Sequence, residues 1–385
     1  MATAHAENSR YRYPVLDLLR IFAAMWVAIY HLTGGHGWFS YLKHPYGNIL
    51  AEGKLGFISP FVRLGFLGVP IFFVISGYVI VTSSENKSVA EFFSDRMARL
   101  FPSFLMSIVV VCSVFSYGFR APYNLTFVKF FSSLSLSWYT FPEAKIQGSY
   151  WTLWPELRFY GLFLVFVLIF KKRISYKHKV FYFFVGMLAI TYFTYGNNSS
   201  FGIIGLGDYG VYFILGGFIG ATANLRILKA TWIFILGTLC FVAINLRTWI
   251  IAWDPGHPNE WRFGEGLFLI AVITTAVARR LEFANHNIRE VLSLLGRSSY
   301  AFYLLQEGLG MPTASFLVSR GMQIRYSVLI ALVVVSFTSI LFTATLERSI
   351  ARRIKSGFLT GVDSLRSDEL RDVKGVKKSL KTLNK

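Results

Sequence analysis

Charge is scarce in this chain. Asp, Glu, Lys and Arg together make up 15% of its 385 residues, against ~25% in an ordinary soluble domain. Acids are the scarcer sign, with 20 Asp and Glu against 39 Lys and Arg, for a formal net charge of +19. Cysteine is nearly absent. The two present, Cys112 and Cys240, lie inside apolar runs, which excludes a disulfide framework and a zinc site; no metal is expected. Low charge alongside 54% hydrophobic residues also excludes a disordered chain or a coiled coil. What is plentiful is phenylalanine, 38 residues of it, more apolar surface than one soluble core of this size can hide. The positive excess invites a nucleic-acid reading. However, the Lys and Arg residues punctuate apolar runs of spanning length rather than forming one basic face. No nucleic-acid partner is expected, and the chain's main solvent is the lipid bilayer.

Apolar runs near the ~20 residues a bilayer requires fall at 15–33, 61–82, 100–118, 150–170, 180–196, 209–223, 230–250, 264–280, 298–318 and 327–347. The expected fold is all-α, a polytopic transmembrane bundle of about ten helices. Lys and Arg favour residues 1–14, the loops 83–99, 171–179, 224–229 and 281–297, and the tail from 348. The densest short group is Lys171, Lys172, Arg173, Lys177 and Lys179. That bias places both termini inside. The organisation is then a cytosolic segment 1–14, a membrane domain 15–347 and a basic cytosolic tail 348–385, loose or lying on the membrane surface. The polar opening runs straight into the first span with no small-residue cleavage site, so that span is expected to be retained. Seven of the nine Trp residues (38, 138, 151, 154, 249, 253 and 261) fall at or beyond the expected outer surface. An ordinary aromatic belt would fill both interfaces, and the asymmetry is compatible with an outer groove that stacks on a sugar.

The first span carries Asp17, Arg20 and His31, ionisable groups that are expensive in lipid and mark a functional interior by default. Arg20 and His31 are eleven positions apart, so they share one face to within ~20° and are separated by ~16 Å along the axis. Asp17 lies three residues before Arg20 on the same side. A packing ion pair with an interfacial histidine is the plainer alternative. Glu156 sits near the outer end of the fourth span, at about the depth of His31, where a carboxylate can orient and charge an imidazole; Tyr160 follows at i+4. Its plainer role is a first-turn acid after Pro155. Arg96 and Arg99, three residues apart just before the third span, project into the cytosolic headgroup layer and suit phosphate, or serve only as positive-inside anchors. Gly68 to Tyr78 interrupts the second span with small residues, including Ser76 and Gly77. They permit close helix packing or passage of a ligand.

Together these segments resemble the integral-membrane acyltransferase family 3, bacterial O-acetyltransferases acting on surface glycans. Arg20 and His31 are similar to its first-helix motif, Gly68–Tyr78 to its second-helix motif and Arg96-x-x-Arg99 to its cytosolic arginine pair. Trp151-Thr152-Leu153, Glu156 and Phe159-Tyr160 are similar to its Trp-Ser-Leu, Glu, Phe-Tyr motif. Gly296, Ser299-Tyr300 and Tyr303-Leu304 are similar to a late-helix motif. The resemblance spans residues 11 to 347. Gln306 stands where the late motif commonly has His, Thr152 where Ser is usual, and Leu157 where a second Glu often stands. The resemblance implies a bacterial cytoplasmic-membrane enzyme with acyl-CoA, most simply acetyl-CoA, as donor. The implied acceptor is a hydroxyl of an extracytoplasmic glycan or lipid-linked saccharide. It makes Arg96 and Arg99 the donor's phosphate ligands and His31, assisted by Glu156, the base or acyl carrier. Asp17, Arg20, Ser76, Trp151 and Tyr160 then lie along the substrate path. The tail is too short for the extracytoplasmic hydrolase-like domain of some members. A transporter or flippase also needs intramembrane Arg, His and Glu, but the inverted repeat common in such proteins has no counterpart here.

Overall fold

The structure, a computed structural model, describes residues 13–34, 56–85, 87–114, 127–134, 146–169, 174–194, 209–224, 230–253, 261–278, 280–281 and 285–361. Each long apolar run is a helix. In order they are α1 (Pro14–Leu32), α2 (Gly68–Ser84, entered through short turns from Gly56), α3 (Val89–Ser113), α4 (Phe127–Leu134), α5 (Leu153–Ile169), α6 (Tyr176–Thr194), α7 (Gly210–Asn224), α8 (Ala230–Trp253), α9 (Trp261–Val277), α10 (His286–Leu305), α11 (Met311–Ser319) and α12 (Ile324–Phe342). A widened turn, Gln306–Gly310, joins α10 to α11, and a second, Thr343–Glu347, carries α12 on to Gly361. Among the described residues these make ten rods and the short α4.

Four stretches, Pro14–Leu32, Gly56–Ser84, Val89–Ser113 and Ile324–Gly361, are long and apolar enough to cross a membrane. Large hydrophobic side chains point outward: Ile233, Val333 and Phe337 are each at least 66% exposed. Polar groups such as Ser107, Asn245, Gln306 and Glu307 are buried. That arrangement suits a lipid surround, where polar groups must find partners inside the bundle.

The centre is built from α1, α2, α7 and α10. Helices α2 and α7 touch through backbone: a Cβ on Gly77 would strike the Phe213 carbonyl, and one on Gly216 the Val74 carbonyl. Gly68 admits Ala23 and Val27 of α1 in the same way. The glycines of 68–78 are therefore packing residues, as small side chains in membrane helices commonly are.

Three helix boundaries differ from the run-length expectation. Helix α3 starts at Val89 rather than near 100, because Ser88 and Glu91 form a reciprocal capping box. Helix α10 starts at His286 rather than 298, capped by the Asn285 side chain. The first part of the expected loose tail, to Gly361, is helical. It is tied to α3 by Lys355–Asp95 at 2.6 Å and by the Phe358–Phe93 ring contact. Trp38, Trp138 and the Lys171–Arg173 group lie outside the described residues, as do the side chains of Trp249, Trp253 and Trp261.

Candidate active site

His31 occupies the last turn of α1 and faces the widened turn Gln306–Gly310. Local sequence explains the widening. Pro312 has no N–H for the Gly308 carbonyl, and Gly308 and Gly310 relax the backbone. Such turns are frequent at functional sites. Here the turn brings two consecutive side chains to one imidazole: the Gln306 amide lies 2.6 Å from His31 Nδ1, and Glu307 Oε1 lies 3.6 Å from it. Both residues are almost completely buried.

Residues 147–152 brace this turn. Gln147 Nε2 donates to the Leu304 carbonyl at 2.5 Å, and the Ser149 N–H donates to Glu307 Oε2 at 2.9 Å. Tyr303 returns a bond to the Ser149 carbonyl at 3.3 Å. Glu307 thus has one oxygen fixed by backbone while the other faces the imidazole. This is the base-and-orienter geometry of acid–base and nucleophilic sites.

A cleft opens between α1, α2, α3, α5 and α10. Arg20, Arg99, Glu156 and Tyr300 stand on its walls, with Ser76, Thr152 and Tyr303 further along and Phe72, Phe73 and Leu100 as apolar lining. Arg20 donates to Asp17 at 2.9 Å, the pair expected from their spacing. Glu156 accepts from Ser76 at 3.1 Å and from Tyr160. Trp151 is not on the cleft wall; it packs on Phe73 and Tyr209. Among the described residues no group of three or more His, Cys, Asp or Glu side chains lies close enough to hold a metal ion.

Two expectations are corrected. Glu156 does not pair with His31, because Ser76 and Tyr160 hold its carboxylate against α2 and the cleft. The acid beside His31 is Glu307, which sequence reasoning passed over although a carboxylate inside an apolar run is itself a signal. The arginine pair does not project together into the headgroup layer. Arg99 reaches the cleft, whereas Arg96 is buried, bonded to Ser83 and stacked over Phe92 and Tyr160.

A family model described as an acyltransferase domain matches residues 13–348, the whole helical bundle. The chain belongs to the acyltransferase 3 family. The family match runs through both halves of the site, from Arg20 and His31 on α1 to Gln306 and Glu307. Among relatives, the O-acetyltransferase OatA of Staphylococcus aureus (strain NCTC 8325 / PS 47) is 24% identical over 342 residues, covering 76% of this chain and 49% of that protein. The putative O-acetyltransferase SACOL0978 of Staphylococcus aureus (strain COL) is 24% identical over 330 residues, with the same coverages. The chain thus spans about half the length of these relatives. No solved structure matches it.

Proposed function

We propose that this acyltransferase 3 chain is an O-acyltransferase of a bacterial cytoplasmic membrane, moving an acetyl or other acyl group from cytosolic acyl-CoA to a hydroxyl of an extracytoplasmic glycan or lipid-linked saccharide. The observation that carries the reading is the buried Glu307–His31 contact near the end of α1, with the Arg20–Arg99–Glu156 cleft lying deeper in the bundle. Arg20 and His31 are ~16 Å apart along α1, a span that an extended pantetheine arm covers. The O-acetyltransferase relatives support transfer to oxygen.

Gln306 Nε2 lies 2.6 Å from Nδ1 of His31, and turning the amide over puts Oε1 in its place. With Oε1 towards the ring it accepts Nδ1–H, and the Glu307 carboxylate at 3.6 Å favours that same proton. Nε2 then keeps its lone pair and acts as the base. It takes the acceptor's hydroxyl proton, the oxygen attacks the thioester carbonyl, and the C–S bond breaks to release CoA thiolate. The imidazolium that forms is offset by Glu307 and can return its proton to the departing sulfur. The topology expected from Lys and Arg, with both termini inside, puts the donor at the Arg99 end.

The test is base-labile label transfer in native membranes with labelled acetyl-CoA supplied from the cytosolic side. General-base assistance is worth ~10²–10⁴-fold. His31→Ala, expressed to the same level, therefore leaves at most about one per cent of wild-type label in the extracytoplasmic glycan. Equal labelling by both proteins removes His31 from the mechanism. No labelling by either removes the acetyl-CoA-to-glycan reaction.

A further inference from the structure

Gln147 is a buried glutamine with one end of its amide employed. Its Nε2 donates to the Leu304 carbonyl at 2.5 Å, while its Oε1 has no hydrogen-bond partner among the described residues. A buried amide oxygen left unpaired costs stability, and Met or Leu would fill similar space without that cost. The donor end must therefore do something an apolar side chain cannot. Leu304 lies in the last turn of α10, just before the widened turn Gln306–Gly310. Such a widening takes the regular N–H away from carbonyls beside it, and a buried carbonyl then needs another donor. Gln147 supplies one.

Residues 147–150 form a clamp on that turn. Gln147 Oε1 rests against Gly308, where an added Cβ would come within 2.5 Å of it, so the glycine lets the side chain lie flush with the turn. Two residues on, the Ser149 N–H donates to Glu307 Oε2 at 2.9 Å. The clamp has its own footing on α3. The buried hydroxyls of Tyr150 and Ser107 share a hydrogen bond at 2.9 Å, and the Tyr150 ring meets Phe104 edge-on. The Ser149 carbonyl accepts from Thr152 at 3.1 Å and from Tyr303 at 3.3 Å, and both of these residues line the cleft. Residues 304, 307 and 308 are thus held by a segment anchored on a different helix and tied to the cleft wall.

We propose that Gln147 is a positioning residue for the His31–Glu307 pair. By holding the Leu304 carbonyl it keeps the turn widened, and the widened turn keeps Gln306 and Glu307 on His31. Consecutive residues of a regular helix point ~100° apart, yet these two both reach one imidazole nitrogen, at 2.6 and 3.6 Å. Their convergence depends on the shape of the turn, and the turn's shape on the clamp. Gln147 acts through Glu307 rather than on a substrate. The proposal rests on the transferase reading given above, with His31 as base. It predicts an effect on turnover and none on donor binding.

The experiment is a double-mutant cycle in the full chain. Initial rates with labelled acetyl-CoA in native membranes, at matched expression, give donor KM and kcat; hydrogen–deuterium exchange of the purified protein in nanodiscs reads the turn directly. Gln147→Met keeps the length of the side chain and removes the donor. Its kcat falls about tenfold, as a small misplacement of a reacting group causes, with donor KM within about twofold of wild type. Added to Glu307→Gln, it lowers kcat no further, because the carboxylate it aims is already lost. Amides of 306–311 exchange about tenfold faster in Gln147→Met, while those of α2 and α7 keep their rates, which separates a loosened turn from a failed fold. Tyr150→Phe removes one hydroxyl at the footing and lowers kcat about threefold with the same unchanged KM; it tests the clamp if Gln147→Met does not fold. The proposal is overturned if kcat is unchanged, if donor KM rises instead, if the effects of Gln147→Met and Glu307→Gln multiply, or if exchange at 306–311 stays at the wild-type rate. A wild-type protein that transfers no acetyl group refutes the transferase reading itself, and the exchange measurement alone then decides whether Gln147 holds the turn.

Discussion

An imidazole has two nitrogens, and which one is free to take a proton depends on what holds the other. In this chain the holder is a glutamine backed by a glutamate, both buried and both on a turn that ordinary helical spacing would not produce. Because the Ser149 N–H fixes one Glu307 oxygen at 2.9 Å, the second oxygen is already aimed before substrate arrives. Glu307→Gln keeps the shape and removes the charge that offsets the imidazolium. We expect kcat to fall about a hundredfold, within the usual range for acid–base assistance, while donor KM stays near wild type. A rise in KM without loss of kcat would show that Glu307 serves binding rather than His31. The sequence made half of this pair readable. Asp17, Arg20 and His31 share one helix, so their common face follows from the angle per residue. Glu307 is distant in sequence, and its approach to His31 depends on a turn set by Gly308, Gly310 and Pro312. In the sequence, only depth and the family motif link Glu156 to His31. Depth along a helix says nothing about direction around it, and Ser76 and Tyr160 decide that direction.

At the scale of elements, the bundle depends on the backbone contact between α2 and α7. Lipid offers no hydrophobic drive for one apolar helix to prefer another, so close van der Waals approach carries the association. Gly77→Val puts its side chain into the Phe213 carbonyl, and Gly216→Val does the same to the Val74 carbonyl. Overpacking at such a site costs about 1–3 kcal/mol or more. Either variant should melt markedly lower than wild type in detergent. Gly186→Ala is the control: nothing lies within 4 Å of its Cβ, and helix propensity favours alanine by about 1 kcal/mol, so its melting point should hold or rise. If all three behave alike, the α2–α7 contact is not what holds the bundle. Run length found every one of the ten rods, because a bilayer imposes nearly the same apolar length on each. It misplaced the ends of α3, α10 and α12. Those helices project past the apolar stretch, and their limits are set by polar caps and an ion pair: Ser88 with Glu91, Asn285, and Lys355 with Asp95.

For the whole molecule, the chemistry requires a direction. The proposed reaction, with its donor at Arg99 and its base at His31, crosses a bilayer only if the Arg99 end faces the cytosol. That sidedness is read from Lys and Arg in the loops and in the tail from 348. Two positions at opposite ends of the bundle can test it. Met322 lies in the short connection between α11 and α12, and Ser356 lies on the helical extension beyond the second widened turn. Both side chains are exposed. With Cys112 and Cys240 replaced by Ser, Met322→Cys should react with a membrane-impermeant maleimide in intact spheroplasts. Ser356→Cys should react only after permeabilisation or in inverted vesicles. The reverse pattern would put the Arg99 end outside, where acyl-CoA is absent. The cytosolic-donor reaction would then fail whatever His31 and Glu307 do. Labelling of both positions from one side would mean that α12 does not cross, although its 38-residue stretch to Gly361 is the longest of the four membrane-competent helices. The expected pattern is the sidedness the proposed reaction requires: the Arg99 end of the cleft open to a cytosolic donor, and the His31 end towards an acceptor outside.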